Sequence, residues 1–571
     1  MSCIEVVSVI AIGPFMALLG DMDSIQAPGI FNEIYNYLGF TSNREFIIFV
    51  GALVLSIMLF SACFSLYTIK VLFQFGSSIG GAISNRLFKH YLFQPWLFHS
   101  DHSSSSLIHK VINESQRLTF AIIHQALNFN AKAAIAVLMS LAVVIYDPAI
   151  SISGLAIFSI SYFLIYKLSE SHLNRASKSL AEDQAIRLKT ASESFGGIQN
   201  IILNRTQPFF INTFNKSTDK YYFAWGNSQV LGITPKYLLE VLAMGSIIIL
   251  VLFLFLSNNQ NLSTILPTLS VFALAGYKIL PALHTAYYSF SIITANISAF
   301  ESLKSDLINS SDIDQSAQNL QMKSNDKIEF NNKLSFKNIS FTYPESVKKV
   351  LNDVSFEIQA ETTIGIVGPS GAGKSTMIDI ILGLINPISG NFFADNETID
   401  KSNIELWQRN IGFVPQSIFL SDSTIKENIA FGINAQSIDN KKLLKAANLA
   451  NIMDFLSSLP NGLDTIVGER GIQLSGGQIQ RIGIARALYN NPNVLIFDEA
   501  TSSLDGISEK LIMEAINKFS GQKTIIIVAH RLETVKNCDS ILLLKDGEII
   551  DTGSYDELLS RSLVFQEMAG S

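Results

Sequence analysis

Over the first 300 residues, long apolar runs alternate with polar, charge-rich stretches. Phe46 to Ile69 carries no charge. Leu118 to Tyr146 holds only His124 and Lys132, and Ala149 to Tyr166 begins directly after the Asp147–Pro148 break. Leu238 to Leu256 contains Glu240, and Leu262 to Phe300 contains Lys278 and His284. The extreme N-terminus, Met1 to Gly20, is a sixth run with one charge at Glu5. About 20 apolar residues cross a hydrocarbon core of ~30 Å as a helix, so the pattern predicts six crossings. The 262–300 run exceeds one crossing and must project beyond the membrane. A secretory signal would carry a basic n-region, but no Lys or Arg precedes Arg44, so the first run reads as a membrane helix.

Lys and Arg concentrate on one side of this pattern. Residues 70–117 carry Lys70, Arg86, Lys89, Lys110 and Arg117, and residues 167–237 carry nine more basic residues. The opposite connections carry only Arg44 against several acids. Both basic segments are therefore expected in the cytoplasm. Their helical periodicity predicts helices running on past the membrane. On the outer side, Ile30, Phe31, Ile34, Tyr35 and Leu38 recur at helical spacing within 27–40. This predicts a short amphipathic helix, lying on the membrane surface or packed on the bundle.

Residues 301–333 are rich in Ser, Asn, Asp and Gln and read as a polar linker. From Phe336 the chain becomes alternating strands and turns. The expected organisation is a membrane domain at 1–300, a linker at 301–333 and an α/β nucleotide-binding domain at 334–571. The fold class is thus an all-α polytopic membrane domain of six helices followed by an α/β phosphate-loop domain.

Composition agrees. Charged residues make 16% of the 571-residue chain and mean hydropathy is +0.31, whereas soluble domains carry about 25% charge. Nine charged side chains fall in residues 1–100 and eighteen in 501–571. Cys3, Cys63 and Cys538 are too dispersed for a disulfide framework or a metal pattern. A net charge of -7 without a basic block gives no indication of nucleic acid.

Gly368 to Ser375 reads Gly-Pro-Ser-Gly-Ala-Gly-Lys-Ser, between an apolar strand (364–367) and a helical pattern (377–384). This spacing lets backbone N–H groups curl around phosphate oxygens at a helix N-terminus. Gly368, Ser370, Gly371, Gly373, Lys374, Ser375 and Thr376 are the expected nucleotide contacts. Lys374 would reach the β- and γ-phosphates of ATP, and Ser375 would ligate Mg²⁺. A second apolar strand, 494–497, ends in Asp498-Glu499. Asp498 is the expected partner for Mg²⁺, and Glu499 the group that activates water.

Leu474-Ser-Gly-Gly-Gln478 precedes a helical pattern (479–489) that leads into the 494–497 strand. This resembles the signature of ATP-binding cassette transporters, and further motifs of that family follow in order. Tyr343 resembles the aromatic residue that stacks on adenine. Gln416, in Phe-Val-Pro-Gln, resembles the glutamine that contacts Mg²⁺. Val467 to Gly471 resembles a stretch that senses the membrane domain, Asp505 a loop across the dimer, and His530 the switch histidine. The resemblance implies two chains associated head to tail. ATP would lie between Lys374 of one and Ser475, Gly476, Gly477 and Gln478 of the other. With every catalytic position intact, it implies a homodimer. It also implies short coupling helices near 100–106 and 207–212.

The membrane half resembles bacterial lipid-linked oligosaccharide flippases at Ile4-Glu5 through Phe15, at the outer amphipathic stretch, at Pro235 through Glu240, and at 270–272 with 280–282. That resemblance implies a bacterial inner-membrane location and a lipid-linked substrate. Members carry roughly another helix's worth of residues before the position of Met1, so the expected first crossing begins inside that helix. An exporter of peptides or amphipathic drugs, or an ATP-gated channel, are the rival readings. Lys132, Glu240, Lys278, His124 and His284 are either substrate contacts or ordinary residues of the helix extensions.

Overall fold

A computed structural model describes residues 1–20, 30–146, 148–257, 262–310, 327–344, 346–468, 471–499 and 506–570. The chain divides into two compact units, Met1–Gln94 with Phe98–Gln318, and Pro95–Leu97 with Asn319–Ser571.

The first unit is helical throughout its regular structure. Ser2–Ile10 and Ile12–Gly20 cover the first predicted run, and Ile30–Tyr37 forms the short outer helix. Long helices follow at Asn43–Leu92, from Ser104 to Tyr146, at Pro148–Gly196, Gln207–Ser257 and Leu262–Asn309. A helix of 50 residues, such as Asn43–Leu92, is about 75 Å long. It therefore extends far past a hydrocarbon core, as the projecting basic segments predict. Among the described residues, Asn43–Leu92 and Ser104–Ile145 are long and apolar enough to cross a membrane. Their apolar side chains point outward, with Phe60 63% and Leu66 68% exposed.

Small residues let these helices approach closely. A Cβ on Gly80 would overlap the Thr119 side chain, and one on Gly76 would sit 3.0 Å from His124 Cε1. His124 is buried, with Phe73 and Phe120 stacked at 4.9 and 5.5 Å and Ser77 Oγ at 3.3 Å from Nε2. It is a packed histidine. Glu5 is also buried and accepts from Ser65 Oγ at 2.9 Å. Glu240 is exposed, 4.0 Å from Lys236 one turn away. Lys132, Lys278 and His284 are half-buried, and His284 stacks on Tyr288 at 6.4 Å. Phe31 and Tyr35 of the outer helix pack against Leu18, Phe46 and Ile47, which favours the bundle-packed reading of that helix.

The two short helices lie earlier than the expected 100–106 and 207–212. They are Trp96–Asp101 and Ile198–Asn204, whereas 207–212 opens the next long helix. Pro95 excludes helical backbone before it. The Gly196–Gly197 pair ends helix Pro148–Gly196, and Arg205 in left-handed geometry (φ 53°) closes the short one. Breaks also fall at 102–103, in the serine-rich stretch where Ser103 caps the next helix, and at 205–206, directly before Gln207-Pro208.

The second unit contains two sheets. Strands β1 (Lys333–Phe341), β2 (Leu351–Gln359), β4 (Ser389–Ala394) and β5 (Glu397–Ile399) form an antiparallel sheet in the order β2-β1-β4-β5. The remaining strands are β3 (Thr363–Val367), β6 (Ile411–Val414), β7 (Val494–Asp498), β8 (Thr524–Val528), β9 (Ser540–Lys545) and β10 (Glu548–Gly553). They run in the order β10-β9-β3-β8-β7-β6, parallel except at β10. β3 and β8 are buried at every position, as continuous apolar runs covered on both faces should be.

Candidate nucleotide site

The order β3-β8-β7-β6 places four segments at the carboxyl ends of adjacent parallel strands, the usual ligand edge of such sheets. The phosphate loop follows β3, Gln416 follows β6, Glu499 follows β7, and His530 follows β8.

The loop turns at Gly371 (φ 79°) and Gly373 (φ 102°). A Cβ at Gly373 would sit 2.8 Å from Val350 O and 2.9 Å from a Leu351 methyl. Only glycine fits, and the backbone is left open to a ligand. Helix Lys374–Ile381 starts there, three residues before the position read from the hydrophobic pattern. Lys374 is buried and donates to Gly368 O at 2.7 Å and Pro369 O at 3.0 Å. Burial holds its ammonium below the usual lysine range, while Glu499 and Asp498 act the other way. Ser370 and Ser375 are exposed, and Thr376 Oγ1 lies 3.2 Å from Tyr343 OH. Tyr343 is thus tied to the loop on one side and set edge-on to Phe341 at 5.0 Å on the other.

Asp498 pairs in register with Val528, and the next residue, Glu499, has φ 50° with its N–H bonded to Val528 O at 3.0 Å. Left-handed backbone is costly for a non-glycine residue and is concentrated at functional sites. The turn aims the carboxylate between two neighbours. Gln416 Nε2 donates to Glu499 Oε2 at 2.5 Å, and His530 Nε2 lies 2.5 Å from Glu499 Oε1. Burial and the charge of Glu499 push the Asp498 carboxyl up. Two acids so placed, beside a glycine cradle and the Ser375 hydroxyl, suit a divalent cation bound to phosphate. Ser375, Asp498 and Gln416 are the residues that could hold Mg²⁺.

The signature helix is Gly476–Leu488. Ser475 caps it: Gln478 N donates to Ser475 Oγ at 3.3 Å, and Ser475 N donates to Gln478 Oε1 at 2.8 Å. Ser475 and Gly476 are exposed, whereas Gly477 is buried. Asp505 and the 469–470 part of the Val467–Gly471 stretch lie outside the described residues.

Sequence reasoning missed Asp379. Burial, then the charge of Asp498, pushes its carboxyl up to about 6. Its place one turn after Ser375, on the less buried stripe of the helix following the phosphate loop, was the available signal.

Two family models match the chain. "ABC transporter" covers residues 351–502, and "ABC transporter transmembrane region" covers residues 10–275. An uncharacterized ABC transporter ATP-binding protein, YfiB of Bacillus subtilis, is 42% identical over 235 residues, 41% of this chain and 40% of that one. Multidrug resistance protein pgp-1 of Caenorhabditis elegans is 42% identical over 234 residues, 41% of this chain and 18% of that one. The matched stretch thus spans well under half of either relative. A bacterial Atm1-family ABC exporter solved with ATP bound superposes with TM-score 0.74 at 23% identity, covering 98% of this chain and 97% of that one. That likeness establishes the fold. The chain belongs to the ABC transporter family, an exporter-type helical membrane domain followed by one ATP-binding cassette.

Proposed function

We propose that two copies of this chain form an ATP-driven exporter that moves a lipid-linked oligosaccharide from the inner to the outer leaflet of a bacterial inner membrane. The cassettes would face the cytoplasm. The observation carrying the motor part is the grip of Gln416 and His530 on Glu499 beside the phosphate loop. Lys374, with the loop backbone of Gly368 to Thr376, binds the ATP phosphates, and Tyr343 stacks on the adenine. Ser475, Gly476, Gly477 and Gln478 of the second copy close over the same nucleotide. Ser375, Asp498 and Gln416 would hold Mg²⁺, which would supply charge neutralisation to the nucleotide phosphates. Glu499 orients the attacking water and accepts its proton as the γ-phosphate bond breaks to ADP and phosphate. His530 positions that carboxylate.

The substrate reading rests on the resemblance of the membrane half to lipid-linked oligosaccharide flippases. A second reading, an amphipathic drug, is favoured by the similarity to a protein described as conferring multidrug resistance. The purified chain in liposomes, supplied with ATP, separates them. Movement of an undecaprenyl-pyrophosphate-linked glycan with matching ATPase stimulation supports the first. Stimulation and uptake with amphipathic drugs alone overturns it in favour of the second.

A further inference from the structure

We propose that a cavity within the membrane unit holds an uncharged, polyhydroxylated headgroup, that is, a sugar residue of the exported amphiphile. The proposal deepens the exporter reading above and rests on it. The cavity measures about 300 Å³ and lies between the helical run from Ser104, helix Pro148–Gly196 and helix Gln207–Ser257. Its lining comes from the basic segments predicted on the cytoplasmic side, where a substrate would be loaded.

Three observations point to a ligand site. First, the charges at the cavity are already answered. Glu114, 7% exposed, lies 3.6 Å from Arg117 Nη1 and 3.8 Å from His109 Nε2. Arg117 also donates to Asn296 Oδ1 at 2.8 Å and Ser298 Oγ at 3.1 Å. Among the lining residues, Glu114, Arg117 and His109 thus answer one another's charge rather than a ligand's. Second, the other polar lining groups are neutral: the amides of Asn113, Gln116 and Gln184 and the phenol of Tyr221, beside the Phe120 ring. Gln184 Oε1 accepts from Arg187 Nη1 at 2.8 Å, and that guanidinium lies 4.7 Å over the Tyr221 ring, which fixes both groups. Amides and phenols both donate and accept, as sugar hydroxyls require, and ring faces accommodate a sugar's C–H face. Third, the lining helix is widened at Lys110–Glu114 and Leu118–Ile123, where each turn takes an extra residue. Such widening is rare and frequent at functional sites. His109 Nε2 is buried there with no hydrogen-bond partner among the described residues. The volume is at the small end of ligand cavities, enough for about one or two sugar rings.

The test measures binding to the full chain in lipid nanodiscs. One pair of probes is an alkyl disaccharide and an alkyl phosphocholine of equal chain length. The other is undecaprenyl pyrophosphate with and without a disaccharide. The sugar-bearing member of each pair should bind tighter. Gln184→Ala and Tyr221→Phe should each weaken it by about fivefold, the loss of one neutral hydrogen bond, with the sugar-free member unchanged. An unshifted melting temperature of each variant confirms its fold, and Gln184→Asn, which keeps the amide, should recover part of the loss. Equal affinity within both pairs, or a sugar preference that survives both substitutions, overturns the assignment. If the alkyl disaccharide shows the predicted losses while the pyrophosphate lipid is neither bound nor moved, the cavity assignment stands and the lipid-linked reading falls. If the pyrophosphate lipid is moved without sugar preference, only the cavity assignment falls.

Discussion

Glu499 Oε1 lies 2.5 Å from His530 Nε2, across the gap between two adjacent strand ends. The contact exists because β7 and β8 pair in parallel register, Asp498 beside Val528. Two residues that are 31 positions apart in sequence thereby form one unit.

If Glu499 activates water, Glu499→Gln should keep ATP binding and lose turnover by roughly 10²- to 10⁴-fold, the range for removal of a general base. The amide preserves size and hydrogen bonding but cannot take a proton. Nucleotide binding and phosphate release, measured on the same preparation, decide this. Turnover near the parent value would assign the base elsewhere.

If His530 acts through its contact with Glu499 rather than on ATP, its loss should cost less. His530→Ala is expected to lower kcat about 10- to 100-fold, the scale of a misplaced catalytic group, with little change in KM for ATP. A large rise in KM with kcat preserved would instead make His530 a nucleotide contact.

Gly373→Ala should weaken nucleotide binding by about 5- to 150-fold. The φ of 102° disfavours any Cβ, and the added carbon would press on Val350 O. The strain is about 1–3 kcal/mol, concentrated in the loop that must wrap phosphate. Equilibrium binding of ATP to the variant, with far-ultraviolet circular dichroism as a check on folding, tests this.

Asp379 gives the pH dependence. Its carboxyl is raised from 3.8 to about 6, so between these values the folded chain binds more protons than the unfolded one. Stability therefore falls as pH rises from about 4 through 6, and the full cost is present above 6. After discounting for solvent, that cost is at most about 2 kcal/mol. Asp379→Asn should raise the melting temperature of the full chain at pH 7 and flatten its slope between pH 4 and 6. An unchanged slope would mean that Asp379 is not the titrating group.

Much of the site was legible along the chain, because its parts are local. A phosphate loop is a strand, a glycine turn and a helix start in direct succession, and β3, the turn at Gly373 and Lys374–Ile381 occur in that order. Strand β7, Val494–Asp498, extends the predicted 494–497 by one residue, since a short continuous apolar run suits a parallel strand buried on both faces. The short helices begin a few residues before the expected 100–106 and 207–212 because their starts are set by Pro95 and by Gly196–Gly197. His124 read either as a substrate contact or as an ordinary residue of a helix extension, and only the rings of Phe73 and Phe120 showed it packed between helices.

By itself the sequence determined the two-part architecture. Segment length against bilayer thickness, the sidedness of Lys and Arg, and the nucleotide motifs are properties of contiguous residues. The tertiary structure decided which distant residues meet. Gln416, Glu499 and His530 come together through the order β8-β7-β6, and Arg117 meets Asn296 and Ser298 through the packing of helix Leu262–Asn309 against the run from Ser104. Strand order and helix contact depend on the energy of the whole packed arrangement. No window of residues contains that energy, so these relationships became visible only in the folded chain.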